Sequence, residues 1–172
     1  MGGTCSGVST INDLPKKILI IGNSGAGKTH LLYSWLLGRN DLDTIPTDSF
    51  NVERVSSDSV YMMWDLCGRE DFRLKRRQFF HGTDGVVYII DPLSDKDDVV
   101  NDLTMVSTDR DLNQLPFLVL INKKDEMTTD LRLTVEDALG SHAGLIHVMD
   151  VNVMNMESVS STLRQLNKMF TS

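Results

Sequence analysis

The chain has 172 residues, of which 41% are hydrophobic and 24% charged. That is one domain's worth of a globular protein and excludes a disordered chain. Lys and Arg number 17 against 24 Asp and Glu, a net charge of −7, which argues against nucleic acid as a partner and favours a local grip on an anion.

Residues 1–16 read as a leader and 17–172 as a single folded domain. Met1-Gly2-Gly3-Thr4-Cys5-Ser6 fits the pattern for myristoylation of Gly2, and Cys5 is close enough to carry a second acyl chain. One myristoyl chain holds a membrane only marginally, so the second would matter. The alternative is a flexible Gly- and Ser-rich leader with a chance match. Val8, Ile11 and Leu14 are the only sizeable apolar residues between Cys5 and Pro15, so membrane contact would run through acyl chains. Cys5 and Cys67 form no CxxC pair, which speaks against a disulfide scaffold or zinc module. No apolar run is long enough for a membrane span, and no signal-peptide core follows Met1.

Lys17–Ile21 is a continuous apolar run ending in Gly22, the pattern of a buried parallel strand. Lys28–Leu37 follows as a helix capped by Gly38. Residues 39–49 lack periodicity and read as a loop. Phe50–Val55 and Val60–Trp64 form a hairpin across Ser56–Ser59. Arg73–Phe80 is expected as a basic helix and Gly85–Asp91 as a buried strand. Val99, Leu103 and Val106 mark a helix over 96–106, and Phe117–Ile121 is another apolar strand. A helix over 131–139, a strand over 145–151 and a last helix with Val159, Leu163, Leu166 and Phe170 on one face complete the chain. The alternation implies an α/β fold: a six-stranded, mostly parallel sheet with one antiparallel edge hairpin, covered on both sides by about five helices.

Gly22-Asn23-Ser24-Gly25-Ala26-Gly27-Lys28-Thr29 matches G-x-x-x-x-G-K-[ST], the P-loop. Glycines let successive N–H groups converge on one anion at a helix N-terminus. Lys28 would bridge the β- and γ-phosphates and Thr29 would ligate Mg²⁺, with His30 next in the helix as a further nucleotide-binding residue. The strand before and the helix after are the context this motif requires.

Asn122-Lys123-Lys124-Asp125 follows a strand far downstream. The Asp125 carboxylate can accept from both N1–H and the 2-amino group of guanine, whereas adenine offers an acceptor there. Lys123 would lie along the base and Asn122 would tie this loop to the P-loop. Guanine specificity follows.

With these residues the chain resembles the ADP-ribosylation-factor (Arf) and Arf-like small GTPases from about Lys17 to its C-terminus. Thr44-Ile-Pro-Thr-Asp-Ser-Phe-Asn-Val-Glu53 is similar to the family's first switch, and Trp64-Asp-Leu-Cys-Gly68 to its W-D-x-x-G segment. The resemblance implies a P-loop NTPase three-layer sandwich, GTP or GDP with Mg²⁺ as cofactors, and a monomeric cytoplasmic switch at the membrane periphery. It implies that Thr47 ligates Mg²⁺, that Asp65 holds it through water and that the Gly68 N–H meets the γ-phosphate. Partners would be an exchange factor, a GTPase-activating protein and effectors of membrane trafficking. Phe50, Trp64 and Phe79 match the aromatic trio shown to effectors; core packing is the alternative for them.

The chain also departs from the family. Arg69 stands where a glutamine orients the attacking water. Arg only donates hydrogen bonds, so slow hydrolysis is expected, or a hydrolysis-deficient scaffold held with GTP. A competing role is charge stabilisation in cis by Arg69 itself. Ser24 replaces Asp and Ser49 a glycine. Arg76 replaces Trp within the basic run Arg73, Lys75, Arg76 and Arg77, which is either a solvated helix face or a site for an acidic partner. The last base-binding loop has no side-chain match around Asp150–Val153, leaving backbone N–H contacts near Asn152. A P-loop kinase is disfavoured by N-K-K-D and the T-I-P-T segment. The four histidines form no constellation with a nucleophile.

Overall fold

A computed structural model describes residues 14–123, 129–140 and 145–171. Residues 1–13 of the leader, with Gly2 and Cys5, and Asp125 lie outside them. The strands are β1 (Lys16–Ile21), β2 (Phe50–Ser56), β3 (Val60–Leu66), β4 (Gly85–Ile90), β5 (Phe117–Asn122) and β6 (Ile146–Val151). The helices are α1 (Lys28–Leu37), α2 (Lys96–Ser107), α3 (Thr129–Leu139) and α4 (Met156–Thr171).

One six-stranded sheet runs β2-β3-β1-β4-β5-β6. Every pair is parallel except β2 with β3. The hairpin closes with Ser56 opposite Val60, and the Ser57 N–H donates to the Ser59 carbonyl. β4 and β5 are buried at every position, because helices cover both faces of a parallel sheet.

Strand alternation divides the core into two layers. Ile18, Ile20, Val87, Ile89, Leu118 and Leu120 face α1 and α4; Leu19, Ile21, Tyr88, Ile90, Val119 and Ile121 face α2 and α3. The Trp35 indole N–H of α1 donates to the Val159 carbonyl and to Thr162 Oγ1, both at 3.2 Å on α4. The Tyr61 hydroxyl donates to Asn167 at 2.8 Å. Gly38 ends α1 at φ 66° with its N–H on the Ser34 carbonyl, as the sequence predicts.

Arg73–Phe80 is not an α-helix. Two short 3₁₀ turns, Glu70–Phe72 and Lys75–Phe79, occupy this stretch, so four α-helices are described. A backbone of three residues per turn places side chains at i and i+3 on one side. Arg73 and Arg76 have that spacing, and both turn inward to carboxylates on α2. Tertiary ion pairs thus decide the local geometry over the helix tendency. Among the described residues no helix is long and apolar enough to cross a membrane.

Candidate functional site

The glycine loop lies where β1 meets α1. Gly27 has φ 102°, and a Cβ there would come within 2.9 Å of Asn122 Nδ2, so only glycine lets the loop pass under Asn122. Lys28 is buried, and its ammonium donates to the carbonyls of Gly22 at 2.9 Å and Asn23 at 2.7 Å. Burial lowers its pKa to about 8, with the Asp65 carboxylate opposing that drop. A desolvated cation at a helix N-terminus, in a cleft of about 230 Å³ lined by Ser24, Gly25, Lys28 and Thr29, suits a polyanion. His30 also lines the cleft, and its Nε2 is buried without a hydrogen-bond partner.

The loop over 44–47 forms the far wall of this cleft. Thr29 Oγ1 donates to Asp65 Oδ2 at 2.5 Å and Thr47 Oγ1 to the same oxygen at 2.9 Å. The two hydroxyl oxygens are 2.9 Å apart. Asp65 is fully buried, and its Oδ1 has no partner. Burial raises its carboxyl pKa, against the two hydroxyl donors and Lys28. Two hydroxyls and a carboxylate with an unused lone pair are hard oxygen donors, the set a small divalent cation such as Mg²⁺ prefers. The residues present fit that ion.

Gly68 closes the cleft from the other side. Its carbonyl accepts from the Ser24 N–H at 3.1 Å, while the Cys67 N–H donates to the Ser49 carbonyl at 2.8 Å. Arg69 is half-exposed and does not line the cleft. Its guanidinium lies 3.3 Å from Asp71 and 4.0 Å from Asp48, between carboxylates of the two loops.

At the end of β5, buried Asn122 donates from Nδ2 to the Ala26 carbonyl at 3.0 Å and accepts from the Val153 N–H at 3.4 Å. The tie between this loop and the P-loop is therefore present. Lys123 is ion-paired with Asp150 at 2.8 Å. The Asn152 side chain accepts from the Met154 N–H at 3.0 Å and turns into its own loop.

Phe50, Trp64 and Phe79 meet at the surface, with ring centroids 5.5 Å, 5.0 Å and 5.8 Å apart. Phe50 is 46% exposed, while Trp64 and Phe79 also pack on the core. The Lys17 ammonium lies 5.0 Å above the Trp64 ring.

The basic run divides in two: Lys75 and Arg77 are exposed, as a solvated face would be, whereas Arg73 and Arg76 turn inward to acidic partners within the chain. Arg76 is buried and paired with Asp102 at 2.5 Å, and Arg73 holds Asp98 at 2.6 Å and 2.7 Å. Arg77 pairs with Asp109 at 2.8 Å. The signal was present as Asp98 and Asp102 one turn apart on α2, facing Arg73 and Arg76.

This sheet order, with a glycine loop after β1 and an Asn-Lys pair ending β5, defines a P-loop GTPase fold. The chain belongs to the ADP-ribosylation factor family, whose model matches residues 8–170. Among solved structures it is similar to the Arl6 BBS3 small GTPase from Trypanosoma brucei with bound nucleotide analogue GppNp. The identity is 17% and the TM-score 0.76, over 90% of this chain and 96% of that one.

Proposed function

We propose that the chain is an Arf-like guanine-nucleotide switch whose GTP form recruits effectors at a membrane, with slow intrinsic hydrolysis. The observation that carries this is the meeting of Thr29, Thr47 and Asp65 beside Lys28. A P-loop hydroxyl and a hydroxyl from a separate loop share one carboxylate oxygen, so a ligand that engages Thr47 also orders that loop.

In this reading Lys28 and the N–H groups of Ser24–Thr29 bind the phosphates, with His30 beside them. Asn122, Lys123, Asp125 and the backbone near Asn152 hold the guanine. Mg²⁺, held by Thr29, Thr47 and Asp65, would supply charge neutralisation at the phosphates. Thr47 and the Gly68 N–H face the γ-phosphate, and Phe50, Trp64 and Phe79 meet effectors. Acyl groups on Gly2 and Cys5 would bring residues 1–16 to a membrane at the cytoplasmic periphery. Exchange factor, GTPase-activating protein and effectors remain the partner classes, acting on a monomer.

A second reading, a hydrolysis-deficient scaffold that stays GTP-bound, is favoured by Arg69, which is held by Asp48 and Asp71 instead of lining the cleft. Nothing at that position accepts a hydrogen bond from an attacking water. The test is to identify the co-purified nucleotide and follow single-turnover GTP hydrolysis of wild type and Arg69→Gln. Faster hydrolysis in the variant supports a switch slowed by one residue. Slower hydrolysis would make Arg69 catalytic in cis, and absence of any guanine nucleotide affinity would refute the reading.

A further inference from the structure

The Arg73 guanidinium joins three parts of the molecule. From the segment after Gly68 it reaches Asp98 in the first turn of α2 with two parallel hydrogen bonds, 2.6 Å and 2.7 Å, and Asn23 Oδ1 in the P-loop at 2.9 Å. Asn23 Nδ2 donates in turn to Asp98 at 3.4 Å, so the triangle is closed. Behind it Arg76 holds both oxygens of Asp102, at 2.5 Å and 3.2 Å, and the Tyr88 hydroxyl of β4 donates to the same carboxylate at 2.7 Å. Arg73 Nε lies 3.9 Å from Asp102, linking the two pairs. The Asp98 carboxyl is held below its ordinary pKa, chiefly by its hydrogen bonds from Arg73. Bidentate Arg–carboxylate contacts of this kind fix geometry as well as charge.

All of these contacts are made by the chain's own side chains, and none needs a phosphate. In an order–disorder switch the segment after the W-D-x-x-G glycine is held by the γ-phosphate and released when that is lost. We infer that Arg73, Asn23 and Asp98 form a clamp that holds residues 69–79 against the P-loop and α2 in the diphosphate and triphosphate forms alike. The inference rests on the nucleotide site proposed above for what the two forms are. Its consequence is that nucleotide exchange changes the 44–50 loop while Phe79, the part of the aromatic surface that this segment carries, stays in place. A ligand shifts a conformational equilibrium only by its differential affinity for the two states, and the clamp reduces that difference for this segment.

The test is amide hydrogen exchange, read by mass spectrometry over residues 68–80, on full-length protein loaded with GDP or GppNp. Wild type, Asp98→Asn and Arg77→Ala are compared, with nucleotide content measured in each sample. Wild type should show equal protection with either nucleotide. Asp98→Asn should exchange about tenfold faster with GDP and less so with GppNp, while β4 and β5 amides keep their protection. Arg77→Ala, which removes the outward pairs with Asp109 and Asp111, should leave the segment unchanged. A wild-type segment that exchanges freely with GDP overturns the clamp. So does Asp98→Asn without effect, or Arg77→Ala with an equal one. A sample without guanine nucleotide would refute the site instead, and protection of 68–80 in that protein would still read the clamp.

Discussion

Gly68→Ala is the sharpest perturbation of the proposed phosphate site. A Cβ on Gly68 would lie 2.4 Å from Lys28 Nζ, 2.5 Å from the Asn23 carbonyl carbon and 2.5 Å from the Ser24 nitrogen. The lysine end can bend away, but the other two atoms are P-loop backbone, braced by the Asn122 bond to Ala26. Restoring ordinary contact therefore means moving Gly68 outward by about 1 Å. That displacement breaks the 3.1 Å bond from Ser24 and takes the Gly68 N–H out of reach of the γ-phosphate. A hydrogen bond to a charged group contributes ~1.5–3 kcal/mol, so triphosphate affinity should fall roughly ten- to a hundredfold. GDP has no group at that position and should lose less than about threefold. Titration with fluorescent GDP and a fluorescent non-hydrolysable GTP analogue reads both. If the two affinities fall together, or neither falls, Gly68 does not distinguish the nucleotides and the assignment fails.

Arg76→Met would leave fully buried Asp102 without its main counter-ion. Breaking a buried pair from one side costs ~3–5 kcal/mol, read as a lower urea midpoint at unchanged slope, and Asp102→Asn in the same chain should recover part of it. The Lys28 pKa, lowered by burial to about 8, sets a pH dependence. Phosphates favour the charged lysine, so nucleotide affinity should be flat below pH 7 and fall as pH rises through 8, by roughly tenfold at pH 9. Lys28→Arg should remove that slope in the same titration.

The parts of the fold that were legible in the sequence are those governed by local chemistry. Gly22–Thr29 and the run Phe117–Ile121 each carry their conformation in their own residues, as a glycine loop and as a strand buried on both faces. The Asn122 tie to the P-loop was legible because the motif fixes which side chain must bridge. What was not legible depends on partners distant in sequence. Arg73 and Arg76 look like a solvated stripe until α2 brings Asp98 and Asp102, 25 and 26 positions away, against them. Arg69 takes its direction partly from Asp71, two residues on, and partly from Asp48, 21 positions back, and only the second is hidden from spacing.

The strand order also governs how the protein is made. β1 is first in sequence yet sits inside the sheet, between β3 and β4. The face of α1 that carries Trp35 is sealed by Val159, 124 positions later, and Tyr61 waits for Asn167, 106 positions later. At translation speeds of about 5–20 residues per second, the emerging P-loop unit spends on the order of 10 s with an unsealed apolar face. The nucleotide loop can curl early, but the layer beneath it closes only when the last helix leaves the ribosome. A truncation that removes α4 should therefore yield an aggregating chain, even though α4 contributes no residue to the phosphate cleft.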